Sequence, residues 1–462
     1  MKIFTLAFIL GSVAVFASGC GNSDNGNSTS GPGAGIAPGV APVSATAVQL
    51  STDPFTDTTA QHQTAVEPSI FANGTTLVSA FQIGRIASGA SDAVGFATSK
   101  DSGNTWTKGI LPGLTTDSGG TDLNTTDAVV TYDAAHSVWM VVSLIFSNTN
   151  SQVVVSRSTD GLTWDAPVTV ATGANYDKCW IACDNGAASP YRGTCYAEWD
   201  DVDNGQEILM SRSTDGGVTW QTPLASADSA TGLGGQMAIQ PQGNVVVPFY
   251  NSNISNPEIL SISSSNGGQS WSSSNLVVAQ QATTIPVRGE TDPTVTVDQN
   301  GKISVAWYDC RFETGCTAND IAMVSSTDGT TWSAVTRLAV DSVGSGTNHF
   351  LPTLAVNPTN PNSFVLTYYS SVTAQCSGTT CAITPQLSAS SDGGQTWSTP
   401  INLSASFPIS AIAITTEGAM VGDYFSTAFV GNTAFPTFSA AIQPVQSAFN
   451  QQIFVLPTAI NP

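Results

Sequence analysis

The sequence predicts an all-β fold, a β-propeller of repeated four-stranded sheets, with seven blades favoured and six as the alternative. Three observations predict it. A turn of the form Ser-x-Asp-(x)-Gly-x-Thr-Trp recurs six times, ending at Trp106, Trp164, Trp220, Trp271, Trp332 and Trp397. These tryptophans are spaced 58, 56, 51, 61 and 65 residues apart, the long period of a repeat architecture. Between them, short runs alternate apolar and polar residues and break at Gly, Asn, Asp and Pro, which is the signal of strands.

Taken in chain order, the first element is a leader. Met1 and Lys2 precede an apolar run from Ile3 to Phe16, followed by Ala17, Ser18, Gly19 and Cys20. This pattern is expected to be a lipoprotein-type signal peptide over 1–19, with Cys20 the lipidated residue; an ordinary cleaved signal is the alternative. The run is too short for a stable membrane span. Residues 20–45 are rich in Gly, Ser, Asn and Pro and read as a flexible tether. The expected location is the bacterial cell envelope, at the outer membrane or cell surface, with the membrane touched only through the N-terminal lipid.

Residues 46–462 then carry the repeats. The fifth unit shows the pattern, with strands expected at 293–297, 302–307 and 320–325, then the turn, then a fourth strand. After Trp397 the tail offers strands near 423–429, 434–440 and 452–456 but no turn motif. The segment 48–51 is expected to supply the missing strand by pairing the two ends of the chain. In each turn, Asp accepts bonds from backbone N–H groups ahead of it, Gly supplies positive φ, and the Trp ring fills space between sheets. Asn266 replaces the aspartate in the fourth copy and keeps the acceptor oxygen, as a structural role allows.

The cysteines fit an oxidising compartment. Cys310 with Cys316 and Cys376 with Cys381 enclose short loops and are expected to form local disulfides, and Cys183 and Cys195 are expected to bridge two adjacent strands, leaving Cys179 odd. A Cys-rich metal site is the alternative. The formal net charge is -21, from 12 Lys+Arg against 33 Asp+Glu. Nucleic acid is therefore excluded as a partner, since it requires a basic face.

With these motifs placed, residues 46–462 resemble the Asp-box (BNR-repeat) propellers of the sialidase superfamily. The resemblance implies retaining exo-glycosidases that use a tyrosine nucleophile partnered by a glutamate, an aspartate acid, and three arginines holding a substrate carboxylate. Carried over residue by residue, it points to Glu290, Arg311 and Tyr424 as catalytic candidates. The first unit departs from the pattern, with Val66, Glu67 and Pro68 where an arginine belongs, and Arg85 beyond the following strand. No arginine triad is recognisable.

A second constellation comes from the residues themselves. Acids recur at or just before the first strand of successive units, at Glu67, Asp127, Asp177, Asp292 and Asp423. The first strands of a propeller line its axis, so these carboxylates are expected to converge, and converging carboxylates must protonate, pair or bind a cation such as calcium. The other reading has each acid capping its own loop. Asp177 and Lys178, and Trp307 and Tyr308, supply the polar and aromatic mix that binds sugars. An acid-lined mouth favours a neutral sugar over a sugar acid. The expected function is glycan binding, with hydrolysis of a glycosidic bond open, and a glycan or cell-surface polysaccharide as partner. The alternative is a non-catalytic surface scaffold or adhesion module.

Overall fold

Strand alternation broken by glycine-rich turns builds the same unit repeatedly in the computed structural model, which describes residues 47–251, 256–289, 291–371, 376, 381–442 and 449–460. The leader, the tether with Cys20, and Glu290 lie outside the described residues. The unit is a four-stranded antiparallel meander. Gln61–Asn73, Thr76–Arg85, Ser91–Ser99 and Thr107–Ile110 form the first. Tyr176–Cys183, Cys195–Asp201, Glu207–Ser213 and Leu224–Ala225 form a later one. The expected fifth unit is present as Thr294–Val297, Ile303–Asp309, Asp320–Ser326 and Thr336–Arg337. The fold is all-β and propeller-like.

The ends of the chain meet as the sequence suggested. Val48–Gln49 pairs antiparallel with Gln451–Val455, placing Val48 opposite Val455 and Gln49 opposite Phe454. Thr427–Val430 and Thr433–Ala441 complete that sheet. Its first strand begins at Thr427 rather than near 423, leaving Asp423 and Tyr424 in the approach to the strand.

The turn motifs close each sheet by internal hydrogen bonding. In the first, Thr105 N and Thr105 Oγ1 donate to Asp101 (2.8 and 2.6 Å), Ser99 Oγ donates to Asp101 Oδ1 (2.8 Å), and Gly103 N donates to Ser99 Oγ (2.8 Å). Gly103, at φ 83°, takes the left-handed conformation that glycine adopts without strain. In the fourth copy Asn266 Oδ1 accepts from Ser270 N (3.1 Å), while its amide nitrogen donates to Ser270 Oγ (2.8 Å). The hydroxyl there changes from donor to acceptor, and the turn survives without a charge.

Large apolar residues fill the space between sheets. Trp199, Trp307, Tyr368, Tyr369 and Phe249 are fully buried. Burying one such side chain contributes about 2–3 kcal/mol. This corrects the sugar-binding expectation for Trp307 and Tyr308. Trp307 packs with Ile303, Val305 and Ala322, and Tyr308 with Ala306, Ile321 and Phe350. Sheets covered on both faces bury side chains of both parities, so alternation could not separate a ligand-facing aromatic from a core one. Disulfides join Cys183 to Cys195, Cys310 to Cys316 and Cys376 to Cys381, and Cys179 is free and buried.

Candidate functional site

The innermost strand of several sheets carries the same irregularity at the same place. Register shifts fall between Val66 and Ser69, Thr126 and Val129, Asp177 and Trp180, and Phe350 and Thr353. In each, three steps along the inner strand oppose two on its partner, the mark of a β-bulge. The residue after the first of each pair has positive φ: Glu67 at 55°, Asp127 at 55°, Lys178 at 50° and Leu351 at 49°. A non-glycine residue held there costs about 1–3 kcal/mol, and such strain gathers at functional sites. Bulges re-aim side chains. Here Glu67, Asp127 and Lys178 all reach one cavity.

That cavity measures about 570 Å³ and is lined mainly by polar groups, among them Asn124, Thr126, Asn175, Asp177, Thr415 and Thr416. Asp423 and Arg288 also line it. Lys178 Nζ donates to Asp423 Oδ2, and Arg288 Nη2 lies 3.2 Å from the same oxygen. Arg288 Nε also donates to Glu417 Oε2 at 3.0 Å. Glu67 Oε1 accepts from the Asp423 backbone N–H (3.1 Å), and Glu67 Oε2 accepts from Gln82 Nε2. Arg85, fully buried, donates to Gln82 Oε1 and reaches Met420 Sδ at 3.0 Å, and Arg288 Nη1 lies 3.0 Å from that sulfur as well.

This network divides the acids by charge state. Burial opposes charge on Asp423, but Lys178 and Arg288 hold its carboxyl below the usual range, so it is ionised. Burial likewise opposes charge on Lys178, but Asp423, Asp177 and Asp292 hold the ammonium well above its usual range. Asp127 goes the other way. Burial, then the charges of Glu67 and Asp177, push it far above the usual carboxylate range, and its Oδ2 has no hydrogen-bond partner among the described residues. Burial and Asp423 raise Glu67 too. A carboxyl pushed toward its neutral form and one held ionised therefore line the same cavity.

Among the described residues, the sequence-derived candidates fall in different places. Glu67, Asp127, Asp177, Lys178 and Asp423 line the cavity together. Asp292 lines an adjoining pocket with Lys178, Trp180, Gln236 and Tyr424. The Tyr424 ring packs edge-on against Trp180 at 5.4 Å, and its hydroxyl has no partner among the described residues. Burial, then Glu67 and Asp127, hold that phenol well above its usual range. Arg311 lies elsewhere, bonded to Asp309 (2.8 and 2.7 Å) and to the Ala279 carbonyl. Among the described residues, the groupings close enough to share one ion are Asp57, His62 and Asp92, and Asp320, Asp341 and His349. Neither includes the five axial acids, whose nearest compensation comes from Lys178 and Arg288.

Arg288 in the cavity wall, and Arg85, Glu198 and Asp200 packed behind it, were not legible as site residues. Arg288 and Arg85 approach from a loop and from a second strand, and Glu198 and Asp200 stand on the second strand behind Lys178. Glu198 and Asp200 are buried with no hydrogen-bond partner on any carboxylate oxygen among the described residues. Burial and neighbouring acids raise both well above the usual range. The scarcity of cations, 12 in the whole chain, was the available signal for the arginines.

Residues 193–362 match the BNR repeat-like domain. The chain is similar to the BNR-repeat, sialidase-like superfamily. The resemblance read from its turns is thereby borne out. Among curated proteins, none matches the chain. Of solved structures, an ulvan lyase bound to -[GlcA(1-4)Rha3S]- aligns at TM-score 0.50 and 9% identity, covering 87% of this chain and 96% of that one. The α-L-arabinanase of Penicillium chrysogenum with arabinobiose aligns at TM-score 0.46 and 14% identity, covering 89% and 98%. A Hadza microbial sialidase aligns at TM-score 0.43 and 16% identity, covering 85% of this chain and 65% of its own length. At these identities the BNR-type likeness concerns architecture alone.

Proposed function

We propose that this chain is an exported, lipid-anchored, seven-bladed propeller that binds a neutral glycan in the 570 Å³ cavity and hydrolyses a glycosidic bond there. The blade count is supported by a second cavity, lined by residues from seven successive innermost segments, from Ser69–Ala72 side to Phe425–Phe429 side. The signal and tether patterns in residues 1–45 support the export reading.

The observation that carries the chemistry is the pairing of bulge-held Asp127 with ionised Asp423. Asp127, kept protonated by burial, donates a proton to the departing glycosidic oxygen. Asp423, fixed by Lys178 and Arg288, stabilises positive charge that develops on the sugar as the bond breaks, and water then adds to that carbon and returns a proton to the Asp127 carboxylate. Both cations are committed to acids of the protein, which leaves Asn124, Thr126, Asn175 and Thr415 to bind hydroxyls and disfavours a sugar acid. Tyr424, which the resemblance suggests as nucleophile, borders this wall from the adjoining pocket.

Incubating the purified chain with sialylated, arabinosyl and other neutral glycosides tests the reading. Release of a neutral sugar, abolished in Asp127→Asn, is the expected result. Glycan capture without turnover of any glycoside would instead establish the adhesion role.

A further inference from the structure

A second group of side chains, outside the cavity, holds two carboxylate oxygens that have no hydrogen-bond partner among the described residues. Asp57 uses Oδ1 to accept from Thr59 N (2.8 Å), Thr59 Oγ1 (2.6 Å) and Ala60 N (3.3 Å). Its Oδ2 is buried, has no hydrogen-bond partner among the described residues, and lies 3.5 Å from His62 Nε2. Asp92, in the strand Ser91–Ser99, is 1% exposed, and among the described residues its Oδ2 also has no hydrogen-bond partner. Room for that carboxylate comes from Gly84, at φ 71°, where a Cβ would stand 2.3 Å from Asp92 Oδ2. One ligand atom from each of Asp57, His62 and Asp92 lies within 4.8 Å of the others.

We propose that Asp57, His62 and Asp92 bind a divalent cation of the zinc class. Two buried carboxylate oxygens facing one another repel unless one carboxyl keeps its proton or a cation stands between them, and a bound cation would displace that proton. The imidazole nitrogen selects a first-row transition ion over calcium or magnesium, which prefer oxygen-only sets. Three protein ligands leave a fourth position for water. The outer support is already built. His62 Nδ1 lies 3.3 Å from Asp53 Oδ2, and Asp53 is itself fixed by Gln63 N (2.7 Å) and Phe55 N (3.0 Å). A carboxylate on the far ring nitrogen is the usual partner of a metal-ligating histidine. On binding, His62 Nε2 exchanges its contact with the Asp57 carbonyl oxygen (2.7 Å) for the ion.

The ion would tie two segments at the rim of the large cavity. Gln61 Nε2 donates to the Ile414 carbonyl (2.7 Å) and its Oε1 accepts from Ile414 N (3.0 Å), next to the cavity-lining Thr415–Glu417 run. Ser88, Gly89 and Ala90, just before Asp92, line the same cavity. The site stands independently of the hydrolase reading.

The test titrates Zn²⁺ into the purified, chelator-stripped chain by calorimetry, with thermal unfolding in parallel. One equivalent should bind, and Tm should rise by at least about 3 °C at saturation and return on chelation. Asp92→Asn and His62→Gln should each weaken binding at least about tenfold, and Asp53→Asn by about 10- to 100-fold. Should Asp92→Asn fail to fold, His62→Gln on the partly exposed segment decides the matter. No response of the wild-type chain to Zn²⁺, undiminished binding in His62→Gln, or tighter binding of Ca²⁺ than Zn²⁺ would each overturn the proposal.

Discussion

Lys178 and Asp423 form an ion pair across 245 residues of sequence, with side chains only 6% and 1% exposed. It joins a bulge in one sheet to the segment entering the last, and Arg288 completes it from a loop. Truncating one partner of a buried pair leaves the other charge uncompensated. Lys178→Met should therefore destabilise the chain by about 3–5 kcal/mol, a loss partly relieved by Arg288. Chemical denaturation measures this; a loss under about 1 kcal/mol would mean that the pair is weakly coupled to folding.

The dependence of stability on pH follows from two opposed sets of acids. Asp127, Glu198 and Asp200 have folded-state pKa values raised above the unfolded value of 3.8 or 4.5. Each binds a proton more tightly when folded, so its contribution is fullest below the unfolded value and is lost as pH rises toward the folded one. Asp215 behaves oppositely. Although slight burial opposes it, bonds from Thr219 and Ser213 lower its carboxyl to about 2. Its contribution is present above 3.8 and disappears as pH falls toward about 2. Stability should thus peak near about pH 4–5 and decline toward neutrality. A denaturation midpoint that climbs steadily from pH 5 to 8 would contradict this assignment.

The turn motif predicts a contrast between two substitutions. Asp215→Asn keeps the acceptor for Val218 N and Thr219 N, as Asn266 does in its own turn, and should cost little. Asp215→Ala leaves those N–H groups and Thr219 Oγ1 to solvent and should cost about 1 kcal/mol, modest because the turn is exposed. Equal losses in both variants, read from urea midpoints, would show that charge rather than geometry holds the turn.

Arg311 provides a control. Its guanidinium is committed to Asp309 and Ala279, away from the residues lining the cavity. Arg311→Lys should leave glycan affinity and turnover within about twofold of wild type while lowering Tm slightly. A selective loss of substrate affinity would return Arg311 to the site.

The architecture was legible because its signals are local. Each turn places Ser, Asp or Asn, Gly and Trp within eight residues, and Val48 and Gln49 read as a strand beside the tail. The site was half legible for the opposite reason. A period of two cannot reveal a bulge, and the bulge at Asp177–Trp180 is what turns Lys178 into the cavity. Arg288 and Arg85 arrive from outside the inner strands, so no repeat position marks them. Trp307 and Tyr308 looked like ligand contacts because sequence shows aromatic character but not which face another sheet covers.

The central claim is that Asp127 is a protonated acid poised over a glycan. Its most direct test compares wild type with Asp127→Asn on whichever neutral glycoside the wild-type chain cleaves. Because burial holds the Asp127 carboxyl toward its neutral form, asparagine should keep or raise stability at neutral pH and preserve glycan affinity, while turnover falls about 10²- to 10⁴-fold. Turnover undiminished in Asp127→Asn, with the fold intact, would contradict the account.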